Sequence, residues 1–225
     1  EIPKRDWSSD VCSSDLCLNA HGICYLPGEA FLRSGWARLI RSMRFTSAFN
    51  IIGPLTMPCE QTNCIVIGGY SPQVCDQLAA VLREIGMKRA LAPYGMVNGT
   101  DSSLGMDEFS LSGPTRVVEL RDGKMETYEV TPEDFGLKTL PFQMISSRES
   151  AQANAQSILD VLSGHYDTPL ADFFCMNAAS ALYISDLASS YAEGLTLART
   201  ALASGKALQK LEQLKTVQGV QPTSL

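Results

Sequence analysis

The stretch "NCIVIGGYSPQVCDQLAAVLREIGMKRALAPYG", residues 63–95, constrains the fold more than any other part of the chain. It opens on a continuous apolar run, Cys64 to Gly69, of the kind buried on both faces of a parallel sheet. Ser71-Pro72 then reads as a helix N-cap and first-turn proline: the serine oxygen takes a free N–H, and proline needs none there. The spacing predicts a helix to Gly86 with Val74, Leu78, Val81, Leu82 and Ile85 turned inward. A second apolar run, residues 88–95, follows a basic turn. Strand, helix and strand with short connections make a right-handed crossover. The chain is therefore α/β, with a mainly parallel sheet.

The flanks add to this unit. "GICYLPG" (22–28) reads as a short strand ending in a turn, and residues 29–43 carry Phe31, Trp36, Leu39, Ile40 and Met43 on a helical stripe. In "FNIIGPLTMP" (49–58), Gly53-Pro54 and Pro58 are expected to stop any helix. Residues 96–110, "MVNGTDSSLGMDEFS", read as a polar loop. "TRVVELRDGKMETYEV" (115–130) is a β-hairpin around Asp122-Gly123, a favoured turn pair. Thr131-Pro132-Glu133-Asp134 starts a short helix, and C-terminal helices follow at 148–163, 168–185, 189–203 and 205–215. Leu208, Leu211 and Leu214 share a face of the last, and 218–225 reads as a tail.

A net charge of −6, from 18 basic and 24 acidic residues in 225, argues against a nucleic-acid or anionic-membrane surface. No apolar run reaches the roughly 20 residues of a membrane span. The seven cysteines form no CxxC pair, which points to buried free thiols in a reducing compartment, with the cytoplasm as the expected location. His21 and His165 are the only histidines, little material for a zinc site or a Ser-His-Asp triad.

Five phrases carry a resemblance: "FNIIGPLTMP", "GMDEFSLSGPTRVVELRDGK", "YEVTPEDFGLK", "NAASALYISD" and "SGKALQKLEQL". In order and spacing the chain resembles the anthranilate phosphoribosyltransferases, of the nucleoside-phosphorylase-like glycosyltransferase family, from about Gly22 to Val217. The resemblance implies transfer of phosphoribose from phosphoribosyl pyrophosphate (PRPP) to anthranilate, with pyrophosphate released, in tryptophan biosynthesis. PRPP and anthranilate would be its small-molecule partners, Mg²⁺ its cofactor, and a homodimer the form of the full-length enzyme. The family's glycine-rich PRPP loop and its "KHGN" segment are absent, so residues 17–217 are expected to be the C-terminal part of the α/β domain, inactive alone. "DWSSDVCSSDL" (6–16) looks like one translated frame of a common short-read sequencing-library adapter. Residues 1–16 are therefore expected to be a disordered joining scar.

The site candidates follow the resemblance. Asp107-Glu108 in "GMDEFS" matches the family's metal-binding "GLDE" phrase, and adjacent carboxylates are hard oxygen donors suited to Mg²⁺. "NGTDSS" (98–103) lengthens the loop before them. Arg41 is the candidate for the anthranilate carboxylate, through the planar fork of its guanidinium, with Arg38 and Arg44 as alternatives. Leu32 stands where the family usually has a histidine. Gly53 and Pro54 would bring backbone close to the aromatic substrate. Two other readings stay open: a non-catalytic, nucleic-acid-binding relative, and a transferase with another aromatic acceptor.

Overall fold

The computed structural model describes residues 17–25, 48–55, 62–97 and 105–218. The adapter-like residues 1–16, the stripe at 29–43 with Arg41, and the loop segment 98–104 lie outside them. In chain order the elements are α1 (Ala48–Leu55), β1 (Cys64–Val66), α2 (Pro72–Glu84), β2 (Arg89–Met96), β3 (Gly105–Met106), β4 (Thr115–Arg121) and β5 (Lys124–Val130). Helices α3 (Ala151–Ser163), α4 (Pro169–Ile184), α5 (Tyr191–Ala203) and α6 (Lys206–Gln218) complete them. The chain divides into two compact units, Glu1–Pro58 with Lys206–Leu225, and Cys59–Gly205. None of the helices among the described residues is long and apolar enough to cross a membrane.

The first unit departs from expectation twice. A helical turn at 17–21 closes on Gly22 at φ +68°, where glycine escapes the Cβ penalty of a left-handed residue. Residues 23–25 then form no strand; the Cys17 thiol donates to the Ile23 carbonyl at 3.0 Å. Gly53-Pro54 does not stop a helix but lies inside the end of α1. The clash that pushes a residue before proline out of helical backbone involves its N–H and its Cβ, and Gly53 lacks the second. In α6, Leu208, Leu211 and Leu214 are half-buried, and the Lys210 ammonium donates to the His21 carbonyl at 2.6 Å.

The second unit holds the expected α/β core. The sheet runs β1-β2-β4-β5, with β3 added to β2. Strands β1 and β2 pair in parallel across the α2 crossover, while β2–β3, β2–β4 and β4–β5 pair antiparallel, so the sheet among the described residues is mixed. The hairpin joins the same sheet beside the parallel pair, because Asp122 (φ 49°) and Gly123 (φ 82°) turn it back tightly. Thr131 caps the short helix at Pro132–Phe135, donating through N–H and hydroxyl to Asp134 Oδ2 at 2.7 and 3.0 Å.

Helix α2 lies on the sheet by a face rotated from the one expected: Leu78 and Leu82 are buried and Val74 half-buried as the spacing predicts, but Val81 and Ile85 are not. Its buried residues are Cys75, Leu78, Ala79 and Leu82, whereas Val81 (42 %) and Ile85 (48 %) are exposed. The small Cys75 and Ala79 pack against Ala92, Tyr94 and Val118, so the helix approaches the strands through its least bulky side chains. Alternate strand residues point to the other face, where Leu91, Pro93 and Val117 are also buried. Helix α4 packs on β1, β2 and α5.

A buried polar network joins the hairpin to α4 and α5. Glu119 is only 8 % exposed and accepts from Tyr128 Oη (2.6 Å), Arg121 Nε (2.9 Å) and Tyr183 Oη (3.2 Å). Tyr191 Oη lies 2.7 Å from Tyr128 Oη. Arg121 also donates to Asp186 at 2.7 Å, and Arg89 pairs with the other Asp186 oxygen. Burial pushes the Tyr128 and Tyr191 hydroxyls far above the ordinary tyrosine value. The folded state thus holds their protons where the unfolded chain releases them, so stability is full below about pH 10 and falls as pH rises beyond it. Alkaline unfolding and tyrosinate absorbance are expected to rise together between about pH 10 and 12. Ionisation of all tyrosines well before unfolding would contradict this.

Candidate functional site

The two parallel strands end side by side. Past Val66 the pairing continues, with Ile67 N–H donating to Leu91 O (2.9 Å) and Gly69 N–H to Pro93 O (3.3 Å). Ser71 then caps α2, its hydroxyl oxygen accepting from Val74 N–H at 3.3 Å. In an open α/β sheet, this carboxyl edge is where ligands bind.

Strand β3, inside what reads in sequence as plain loop, runs back along the end of β2 through Gly95↔Met106 and Met96↔Gly105. It delivers Asp107 and Glu108 to the ends of the parallel pair. Three glycines let the backbones close up. A Cβ on Gly68 would overlap the Asp107 carbonyl, one on Gly95 the Glu108 carbonyl, and one on Gly105 the Tyr94 ring. The acidic pair therefore rests on a bed that admits no side chain.

The residues just after the pair are held firmly. Phe109 is fully buried and packs edge-on to Phe135, with ring centroids 5.8 Å apart, and against Tyr191 at 5.7 Å. Asn177 of α4 accepts from Phe109 N–H at 2.9 Å and donates to Phe109 O at 3.1 Å. Ser110 N–H donates to Thr115 Oγ1 (2.9 Å), and the Ser110 hydroxyl donates to Met96 O at 2.6 Å. "LSGPT" thus ties the site to the start of the hairpin.

Asp107 and Glu108 themselves are exposed. Partial burial of the Glu108 carboxyl, and then the adjacent Asp107 charge, raise its pKa above the ordinary carboxylate value. No lysine or arginine among the described residues pairs with either; the nearby Arg116 is committed to Asp76 at 2.7 Å. No third His, Cys, Asp or Glu among the described residues joins them in a metal-holding group. Two like charges side by side without a protein cation are suited to an external one. Cys75 and Cys175 are core thiols, pushed up by burial, and the Cys75 thiol donates to Pro93 O at 3.3 Å.

Of the residues singled out in sequence, Asp107 and Glu108 stand together, Gly53 and Pro54 belong to the other unit, and Arg41 lies outside the described residues. Gly68, Gly95 and Asn177 were not singled out. Asn177 opens the phrase "NAASALYISD", but nothing in a helical sequence says that its amide reaches a strand-end loop.

Known proteins are similar to this chain in sequence and in fold. Anthranilate phosphoribosyltransferase of Polynucleobacter necessarius is 36 % identical over 208 residues, covering 91 % of this chain and 57 % of its own length. That of Methanococcus maripaludis is 39 % identical over 176 residues, 78 % of this chain and 50 % of its own. Among solved structures, the Saccharomyces cerevisiae enzyme in complex with PRPP and Mg superposes with a TM-score of 0.68 at 25 % identity, covering 83 % of this chain and 51 % of that one. The Thermus thermophilus enzyme gives 0.66 at 31 % identity, with 83 % and 52 % covered. The chain spans about half the length of the relatives it matches. Residues 13–208 match the glycosyl transferase family a/b domain, and the chain belongs to that family.

Proposed function

We propose that this chain carries the metal and diphosphate part of a phosphoribosyltransferase that moves phosphoribose from PRPP to the amine of anthranilate, releasing pyrophosphate. The observation that carries it is the Asp107-Glu108 pair, set on glycines at the ends of two parallel strands with no cation from the described residues paired to it. The relatives' names support it, as do the yeast structures in complex with PRPP and Mg and with 4-fluoroanthranilate.

The donor set fits magnesium. Two carboxylates give hard oxygens and leave the remaining positions to water and phosphate, which is how Mg²⁺ is commonly held. Mg²⁺ bound there would supply positive charge to the departing diphosphate. The chain's own residues do the rest. Gly68 and Gly95 let the acidic backbone sit against the strand ends, and Gly69 keeps the next turn narrow beside Cys75. The N-terminus of α2 opens from that turn, and its partial positive charge favours a phosphate nearby.

Calorimetry with the 225-residue chain tests the proposal. Inorganic pyrophosphate, the part of PRPP this site would hold, is expected to bind in millimolar Mg²⁺, to lose that binding in EDTA, and to lose it in the Asp107→Asn/Glu108→Gln double variant. Binding indifferent to Mg²⁺ and to both substitutions would overturn it.

A further inference from the structure

We infer that Asn177 is a positioning residue for the cation site, holding Asp107 and Glu108 at the strand ends from a helix far away in sequence; this rests on the function proposed above. Its side-chain amide meets the backbone of Phe109, the residue directly after the pair, on both sides at once. Oδ1 accepts from Phe109 N–H at 2.9 Å, and Nδ2 donates to Phe109 O at 3.1 Å. The same Nδ2 donates to Phe173 O at 3.1 Å, one turn back on α4. These partners settle the amide's orientation, since two carbonyls need the NH₂ and one N–H needs the oxygen.

The result resembles an added β-bridge made by a side chain. Gly68 and Gly95 close on the carbonyls of Asp107 and Glu108, while Asn177 fixes the peptide groups on either side of Phe109. The main chain of the acidic pair is thus gripped at each residue, leaving only the side chains to move. With two carboxylate ligands among the described residues, the chelate is strengthened when both already face the same point. Neighbours that hold a metal's ligands without touching it commonly set its affinity.

No other residue type at 177 keeps all three bonds. Alanine removes them. Glutamine keeps the amide but adds a methylene, so the two-pronged contact with Phe109 cannot form in the same place.

Binding of Mn²⁺ in the presence of inorganic pyrophosphate, followed by water-proton relaxation, tests the inference at a temperature where circular dichroism shows each variant folded. Asn177→Ala and Asn177→Gln are each expected to raise the Mn²⁺ dissociation constant on the order of tenfold. Asp107→Asn/Glu108→Gln is expected to abolish binding. Mn²⁺ affinity unchanged in folded Asn177→Ala and Asn177→Gln, with binding still lost in the double variant, would overturn the role of Asn177 and leave the cation site standing. Unchanged affinity in the double variant would overturn both. Failure of both Asn177 variants to fold at any temperature would mark a residue of the fold alone, and would also overturn the inference.

Discussion

Gly68→Ala is expected to cut Mg²⁺-dependent pyrophosphate binding on the order of a hundredfold, through a methyl group that touches no ligand. The reason is the absence of any slack. A Cβ at residue 68 would overlap the backbone carbonyl of Asp107, with the carbonyl carbon and Cα of that residue close behind. Such an overlap is relieved cheaply only when the obstacle is the far end of a flexible side chain. Here it is main chain, in a segment also pinned at Gly95 and Asn177. Either the acidic pair lifts off the strand ends, or β1 shifts against β2 and breaks the bonds that extend the parallel pair to Gly69. The strain is expected to lower the unit's stability by at least about 3 kcal/mol, the upper end for overpacking. Urea unfolding together with pyrophosphate calorimetry on the folded variant reads both effects. Wild-type affinity in a folded Gly68→Ala protein would show that the glycine bed is not what seats the acids.

Glu119→Ala is expected to be the most destabilising change away from the site, by about 3–5 kcal/mol. Its carboxylate is nearly buried and accepts from two tyrosines and one arginine drawn from β4, β5 and α4. Removing it leaves, among the described residues, the Tyr128 hydroxyl with Tyr191, and Arg121 with Asp186 and the face of the Tyr183 ring, 5.3 Å from the ring centroid. Glu119→Gln keeps the shape and some of the bonds, and is expected to cost about 1–2 kcal/mol. Equal unfolding midpoints for wild type and Glu119→Ala would show that the hydrogen bonds merely fill space that water fills as well.

The βαβ unit was legible because two kinds of signal agreed along it. Continuous apolar runs marked the parallel strands, and Ser71-Pro72 marked the helix between them. The hairpin was legible from Asp122-Gly123, whose positive φ angles are what a tight turn requires. The inward face of α2 was read correctly at Leu78 and Leu82 and misread at Val81 and Ile85, because apolarity was weighed by size. Val81 and Ile85 are the larger side chains, but close approach to the sheet selects the smaller Cys75 and Ala79. Gly53-Pro54 was misread as a stop because the full cost before proline was charged to a residue that lacks the Cβ, one of the two groups that incur it.

At the site, the acids were legible and their support was not. Asp107 and Glu108 announce themselves as neighbouring charges after an apolar strand. The glycines at 68 and 95 read as ordinary strand ends until the overlap with the acidic backbone is seen. The grip of Asn177 on Phe109 spans 68 positions and leaves no local pattern at all.

The most direct test of the cation site is a crystal of the chain soaked in Mn²⁺ and pyrophosphate, with the metal located by anomalous scattering. A peak within coordinating distance of both the Asp107 and Glu108 carboxylates, bridged to a pyrophosphate oxygen, is the expected result. A peak elsewhere, with those two side chains turned to solvent and no phosphate beside them, would contradict it.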